Sequence, residues 1–420
     1  MHIVIVGNGI AGITVARFVR KGSAARITVV SSESPFHIAR TALMYAYMGD
    51  IRLDDLKPYE DGFWSQNRID LVHDHVEEVD AERNMIRLAS GAQLEWDQLV
   101  LATGSRPNRF GWPGEHAPGV QGLYSIQDLE SMEKWTRDCR QAAVVGGGLI
   151  GIEMAEMLRV RGMDVHLLVR ESAYMDFMFN QHESDLIHAQ VARHGVHLHL
   201  DTELDRIETD ADGRACSVVT TSGGVLDASF VGLAVGVHPN AELARKAGLE
   251  VDRGILVDYA FNTSVPGIRA VGDCAQFRDG LAHGRNIEQL WYSGRRQGRI
   301  LGRILAGEQL TYKPALFYNS AKFFDLEYQT YGNVPPSDSD DVMTRSWTDE
   351  GRCVRFAWSR SDNHLLGMNG FNVRMRHETA GQLIRSAHKG AVAPDTMRTL
   401  LFDPEFSKLP TAAMAEAVSP

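Results

Sequence analysis

The sequence predicts an α/β chain on three observations. Residues 3–6 (IVIV) form a β-branched apolar run that breaks into Gly7-Asn8-Gly9-Ile10-Ala11-Gly12 and runs on as a helix. The same arrangement returns at residues 142–158, where a second short strand breaks into Gly146-Gly147-Gly148-Leu149-Ile150-Gly151. After Pro314 the pattern changes to alternating runs typical of an antiparallel sheet. Two doubly wound nucleotide-binding units followed by a smaller α+β unit account for all three.

The glycine spacing has a physical reason. Gly7 allows the tight turn, and Gly9 lets backbone N–H groups approach a pyrophosphate with no Cβ in the way. Gly12 lets the helix pack close to the strand, and the helix N-terminus supplies partial positive charge. Glu33 follows a second strand over 26–30 and suits a ribose hydroxyl pair. One such turn is a weak signal, since any βα unit can carry a Gly-rich loop. Two in one chain are far more specific, because two pyrophosphate cradles imply two nucleotides that must meet.

Composition narrows the class. A chain of 420 residues is longer than one hydrophobic core usually serves, so two or three domains are expected. A net charge of −11 disfavours nucleic acid or an anionic membrane as partner. The four cysteines, Cys139, Cys216, Cys274 and Cys353, lie far apart with no CxxC, so neither a disulfide framework nor a metal site is expected. A reducing, cytoplasmic setting fits that usage. No leader is expected before a strand that starts at residue 2, and no apolar run reaches the roughly 20 residues of a membrane span.

Taken in order, a short helix carries Arg40 and Tyr45, and residues 69–79 read as strand. Residues 84–102 read as a hairpin and then a buried strand ending in Ala102-Thr103-Gly104-Ser105-Arg106-Pro107. Past the second glycine turn come a strand at 165–169, a helix at 183–194 and a strand holding His197 and His199. Strands at 214–221 and 225–235 lead to Gly236-Val237-His238-Pro239-Asn240. Residues 241–248 read as helix and 254–258 as strand. A further strand, 268–275, ends in Val271-Gly272-Asp273-Cys274, and a long helix spans 287–305. Beyond Pro314, strands are expected at 323–331, 353–358 and 365–371, with a loop at 337–341 and a covering helix over 374–388. The tail after Leu409 is expected to be disordered. His194, His197 and His199 alternate without the further ligands a metal site needs. Tyr174, Phe177 and Phe179 either shade a nicotinamide or pack in the core.

The ordered set GNGIAG, ATGSRP, GGGLIG, GVHPN and VGDCA resembles the FAD-dependent pyridine nucleotide oxidoreductases over essentially the whole chain. Within them it is most similar to the branch of ferredoxin and rubredoxin reductases, the flavin part of nitrite reductase, and apoptosis-inducing-factor-like proteins. The resemblance implies two Rossmann-like, glutathione-reductase-like domains and a C-terminal α+β interface domain. FAD would be held by 1–113 and 241–314, NAD(P)H by 114–240, and 315–420 would form the interface domain, which in the family often makes a homodimer.

Carried over residue by residue, the resemblance gives Gly7, Asn8, Gly9, Ala11 and Gly12 to the FAD pyrophosphate turn and Glu33 to its adenosine ribose. Arg40 would lie beside the flavin or its phosphates, and Val76 beside the adenine. Ala102, Thr103, Gly104 and Arg106 would line the FAD, Gly272 and Asp273 would hold its ribityl or pyrophosphate region, and Trp291 would start the helix aimed at the flavin. Gly146, Gly148, Ile150 and Gly151 would hold the nicotinamide nucleotide, Glu153 would lie near the nicotinamide, and Gly236 would border that pocket. The family's redox cysteines are missing: the segment after the first motif is ARTALMYAYM, which excludes a dithiol relay there. Tyr45 stands where ferredoxin reductases usually carry a lysine.

The expected activity is hydride transfer from NAD(P)H to FAD, with electrons passing on to a ferredoxin- or rubredoxin-type iron–sulfur carrier. The cofactors carry that chemistry and the protein aligns them, so no catalytic residue is assigned, with Glu153 in a supporting role. The alternatives are an oxidase, quinone or small-molecule reductase, and a nucleotide-sensing flavoprotein. Arg170 could pair a 2′-phosphate and tips the expectation toward NADPH, while neighbouring Glu171 could instead hold the ribose of NADH.

Overall fold

The computed structural model describes residues 1–281 and 285–386. The chain divides into two compact units. One comprises Met1–Asn108, Gly122–Lys134 and Gly236–Ala315; the other comprises Arg109–Gln121, Trp135–Val235 and the chain from Leu316 onward.

In the first unit, His2–Val6 lies between Arg26–Ser31 and Gln98–Leu101 in a parallel sheet completed by Ile69–His73 and Ile268–Ala270. Ile3, Val4 and Ile5 are fully buried, as a strand covered on both faces requires. The helix Ile10–Gly22 crosses one face and packs against a second helix, Trp291–Leu305. That approach is close because Gly294, Gly298 and Gly302 recur every fourth residue. A Cβ on Gly298 or Gly302 would press into the backbone of the first helix at Ala11 and Val15. The same unit holds a three-stranded antiparallel sheet, Val76–Asp80, Met85–Leu88 and Gln93–Glu95.

In the second unit, Gln141–Val145 sits at the centre of a parallel sheet ordered Val196–His199, Asp164–Leu168, Gln141–Val145, Phe230–Leu233, Val120–Gln121. Helix Leu149–Val160 follows its glycine turn. The same unit holds a five-stranded antiparallel sheet built from 318–371, covered by His377–Ser386. Helix Gln181–Arg193 starts on a capping box: the Asn180 side chain accepts from Glu183 N–H (2.9 Å), and Glu183 accepts from Asn180 N–H (3.0 Å).

Several expected boundaries shift, each for a local reason. The 225–235 run splits at Ala228-Ser229 into Val225–Asp227 and Phe230–Leu233, which belong to different sheets. The 323–331 run is a hairpin turn at Phe324, which has φ of +50°, followed by Leu326–Gly332. The 268–275 strand breaks at Gly272, with φ of +81°, and resumes at Ala275–Phe277. The long helix begins at Trp291 rather than residue 287, since Leu290 is extended. The helix Ile126–Thr136 and strand Leu204–Thr209 carry no strong pattern and were not expected. Residues 387–388 of the covering helix and the tail after Leu409 lie outside the described residues.

Candidate functional site

The two glycine turns are built alike. Gly7 and Gly146 have φ of +114° and +130°, and a Cβ on either would overlap a carbonyl of the neighbouring strand end, Ala102 or Ala234. Gly12 and Gly151 are pressed against the carbonyls of Gly7 and Gly146. The middle glycines differ in kind. Nothing lies within 4 Å of a Cβ on Gly148, and only the Arg40 guanidinium comes near one on Gly9 (3.3 Å). The outer glycines are required by packing, whereas the middle ones face open space.

In the first unit one cleft is lined by Gly7, Asn8, Gly9, Glu33, Arg40, Val76, Ala102, Thr103, Gly104 and Arg106, all singled out by sequence. Arg40 binds the Glu33 carboxylate through Nε (3.2 Å) and Nη2, and lies 4.6 Å from the centre of the Tyr124 ring. Glu33 is also held by the Ile126 N–H (3.3 Å), at the start of the 126–136 helix. Asn8 ties the turn to the following loop by donating to the carbonyls of Ser34 (3.0 Å) and Phe36 (2.8 Å). His37 Nδ1 lies 2.7 Å from the Asn8 carbonyl, and burial pushes its pKa down to about 4. Val76 is buried at the start of its strand, and Arg106 pairs with Glu242 at the surface (3.0 Å).

The motifs ATGSRP and GVHPN meet as a two-stranded ladder in which Ser105 faces Pro239 and Pro107 faces Val237. Thr103 Oγ1 donates to the Asn240 carbonyl (2.6 Å). Gly236, with φ of +88°, accepts from Asn108 N–H at the ladder's end (3.0 Å). Ser105 Oγ donates to Asp273 Oδ2 (2.9 Å) and accepts from Gln289 Nε2 (3.1 Å), while Ser105 N–H donates to Tyr124 Oη (2.9 Å). Burial raises the Asp273 carboxyl above its ordinary range. The Gly272 N–H donates to Gln297 Oε1 (2.8 Å), and Gln297 donates to Glu288 (3.0 Å), which also accepts from Tyr312 Oη (2.6 Å). A buried polar chain therefore fixes the Gly-Asp turn to the helix that Trp291 opens. Trp291 and Tyr292 are exposed at that helix start.

Tyr124 and Gln289 belong to this constellation but were not singled out by sequence, and Ser105 and Asn240, though inside quoted motifs, were given no role. Tyr124 lies in a stretch without motif or periodicity, and only the fold brings it to Arg40 and Gly104.

In the second unit, Ile150 and Gly151 form the first turn of the Leu149–Val160 helix, with Glu153 a turn further on. Glu153 is half-buried, and burial with Glu156 nearby raises its pKa to about 7. Tyr174 Oη donates to the Gly148 carbonyl (2.7 Å), bracing the turn from behind. Tyr174 and Phe179 are buried, and Phe179 packs edge-on against Tyr328 and Phe371, so these two are core. Phe177 is exposed. His166, not His194, joins His197 and His199: its Nδ1 lies 2.9 Å from His199 Nε2, and its ring stacks on His197. His194 pairs with Asp325 (3.0 Å). No group of three metal-ligating side chains converges among the described residues. Arg170 is exposed and donates to Glu171 (2.8 Å).

Two glycine turns built alike and a cleft with no cysteine in its lining fit a flavin- and nicotinamide-nucleotide oxidoreductase. The chain belongs to the pyridine nucleotide-disulphide oxidoreductase family, whose match spans residues 1–298. That family binds FAD and NAD(P)H, and the protein is an FAD-dependent NAD(P)H oxidoreductase. It is 31% identical over 391 residues to rhodocoxin reductase of Rhodococcus erythropolis, covering 91% of this chain and 89% of that one. It is 30% identical over 338 residues to an NADH oxidase of Methanocaldococcus jannaschii, covering 78% and 75%. Among solved structures, a ferredoxin reductase from Rhodopseudomonas palustris superposes with a TM-score of 0.82 at 26% identity, covering 97% of this chain and 98% of that one. No described helix is long and apolar enough to cross a membrane.

Proposed function

We propose that the protein takes electrons from a nicotinamide nucleotide and delivers them singly to a small iron–sulfur carrier of ferredoxin or rubredoxin type. In this reading 1–113 and 241–314 hold FAD, 114–240 hold NAD(P)H, and 315–420 form the interface domain. The bound FAD supplies a two-electron acceptor that can release electrons one at a time. The chain's own residues hold and orient. The Gly9 and Gly148 turns offer backbone N–H groups to phosphates, Glu33 takes ribose hydroxyls, and Asp273 is braced by Ser105 and Gln289 for the middle of the dinucleotide. Glu153 supports the nicotinamide end and needs no proton role.

The observation that carries the proposal is the cysteine-free segment beside the cleft. Residues 40–48 hold no thiol, and Cys274, the one cysteine next to a motif, is fully buried with its thiol facing the Leu101 and Val271 carbonyls. Without a thiol relay, electrons leave from the flavin itself, which suits a one-electron carrier. The relatives that transfer electrons to rhodocoxin and ferredoxin support this reading by name. All four cysteines are free, in keeping with a cytoplasmic setting.

The relative named NADH oxidase favours a second reading, in which oxygen is the acceptor. NAD(P)H-dependent reduction of cytochrome c by the flavin-loaded protein separates the two. Rapid reduction only when an iron–sulfur carrier is added supports the proposal. Fast oxygen consumption with no carrier present overturns it.

A further inference from the structure

We infer that Tyr124 is a positioning residue for the cofactor cleft: its ring holds the Arg40 guanidinium beside the Gly9 turn, and its hydroxyl oxygen holds the Gly104–Ser105 backbone. This rests on the reading that the cleft lined by Gly7, Gly9, Glu33 and Arg40 holds FAD.

The argument starts from what Arg40 has left to offer. Its Nε (3.2 Å) and Nη2 are spent on the Glu33 carboxylate. Nη1 is then the nitrogen at the middle glycine, 3.3 Å from where a Cβ on Gly9 would stand. In-plane bonds to a carboxylate leave the tilt of a planar guanidinium free, and a flat partner on its face removes that freedom. Tyr124 supplies the face, with its ring centre 4.6 Å from Arg40 Cζ. The negative face of the ring attracts the cation. Burial raises the Tyr124 pKa above its ordinary value, so the ring meets Arg40 as a neutral phenol.

The other end of the same side chain holds a second part of the cleft. Ser105 N–H donates to Tyr124 Oη (2.9 Å). A Cβ on Gly104 would stand 2.5 Å from that oxygen, so the hydroxyl occupies space that only a glycine leaves. Tyr124 is itself pinned by its backbone, since the N–H groups of Tyr124 and Ser125 both donate to Asp128 Oδ2 (2.9 and 2.8 Å). Just beyond, Ile126 N–H donates to Glu33 Oε1 (3.3 Å) and Gln127 Nε2 to the Glu33 carbonyl (2.6 Å). The start of the 126–136 helix therefore grips both members of the Glu33–Arg40 pair. Arg40, Glu33 and Gly104 line the cleft, whereas Tyr124 stands behind them. It acts on the cofactor through these neighbours rather than by touching it.

The test measures the FAD dissociation constant of the full chain by flavin fluorescence, with the thermal midpoint as the check on folding. Tyr124→Phe keeps the ring and should weaken FAD about threefold, the size of one modest hydrogen bond. Tyr124→Leu also removes the ring and should weaken it about thirtyfold. Arg40→Met should weaken FAD about tenfold, and in that background Tyr124→Leu should cost only about threefold more, because the ring then has no guanidinium to hold. Arg40→Gln repeats the cycle should Arg40→Met fail to fold. An equal cost of Tyr124→Leu in both backgrounds makes the ring a packing element only and overturns the inference, with the cleft still the FAD site. FAD affinity left unchanged by Arg40→Met and by Gly9→Val alike overturns the reading beneath, and the inference with it.

Discussion

Arg355 closes Nε and Nη2 on the two oxygens of Glu183, at 3.0 and 2.7 Å, and solvent reaches neither side chain. Asn369 Nδ2 adds a third donor to the same carboxylate (3.1 Å). Glu183 belongs to the Gln181–Arg193 helix, whereas Arg355 and Asn369 belong to the antiparallel sheet of the last hundred residues. The pair joins these two parts of the second unit through their common interior. Removing one partner leaves a buried charge uncompensated, so Arg355→Leu should lower stability by about 3–5 kcal/mol, whereas Glu183→Leu with Arg355→Leu should recover part of it. Urea unfolding of the two variants checks this; equal losses in both would mean the charge itself is unimportant.

Glu153 gives stability a pH dependence. Burial raises its pKa to about 7 in the folded protein, above its value in the unfolded chain. The folded state therefore favours the protonated form, and the contribution is fully present below the unfolded pKa. It is lost as pH rises through about 7. Glu153→Gln should raise the thermal midpoint more at pH 8 than at pH 5. A gain that is the same at both pH values would refute that assignment.

The glycines of the first turn should separate by what surrounds them. A Cβ on Gly9 meets only the Arg40 side chain, so Gly9→Val should fold yet lose most of its FAD. Gly7→Ala collides with the Ala102 backbone at φ of +114° and should destabilise the fold itself. Flavin absorbance per mole of protein, read beside far-ultraviolet circular dichroism, distinguishes the two. Full flavin content in Gly9→Val would remove that turn from the cofactor site.

On the proposed function, an acidic iron–sulfur carrier is expected to dock at the start of the Trp291–Leu305 helix. Its buried glycine stripe faces the first helix, which leaves Trp291, Arg295 and Arg299 exposed along one side. Arg295 lies 5.4 Å from the Trp291 ring centre, and neither arginine makes an ion pair among the described residues. In a chain of net charge −11 this is a local cationic strip, next to Gln289 and its contact with Ser105. Arg295→Glu with Arg299→Glu should raise KM for an acidic iron–sulfur carrier about tenfold or more, leave NADH oxidation by ferricyanide unchanged, and flatten the salt dependence. An unchanged KM would rule this face out as the docking surface.

Much of the cleft's lining was legible in the sequence, because tight strand-to-helix turns impose fixed glycine spacings on consecutive residues. Gly7, Gly9, Gly12, Ala102–Gly104 and Asp273 sit in such local signatures. Tyr124 and Gln289 do not: their roles come from being brought to Ser105 across 19 and 184 residues of chain, with no periodicity to announce it. The 225–235 strand was misjudged because an unbroken apolar run does not mark the point where the chain changes sheets. The aromatic trio was open for a similar reason, since burial of Tyr174 and Phe179 depends on what packs over them.

What the sequence determined by itself was the class of chemistry: two glycine turns between strand and helix and no thiol after the first motif, all encoded in local residue patterns. What only the tertiary structure decided was which side chains converge. The fold brings Tyr124 to Arg40 and pairs Arg355 with Glu183. Both depend on distances between segments remote in the chain, and burial and strand pairing set those distances.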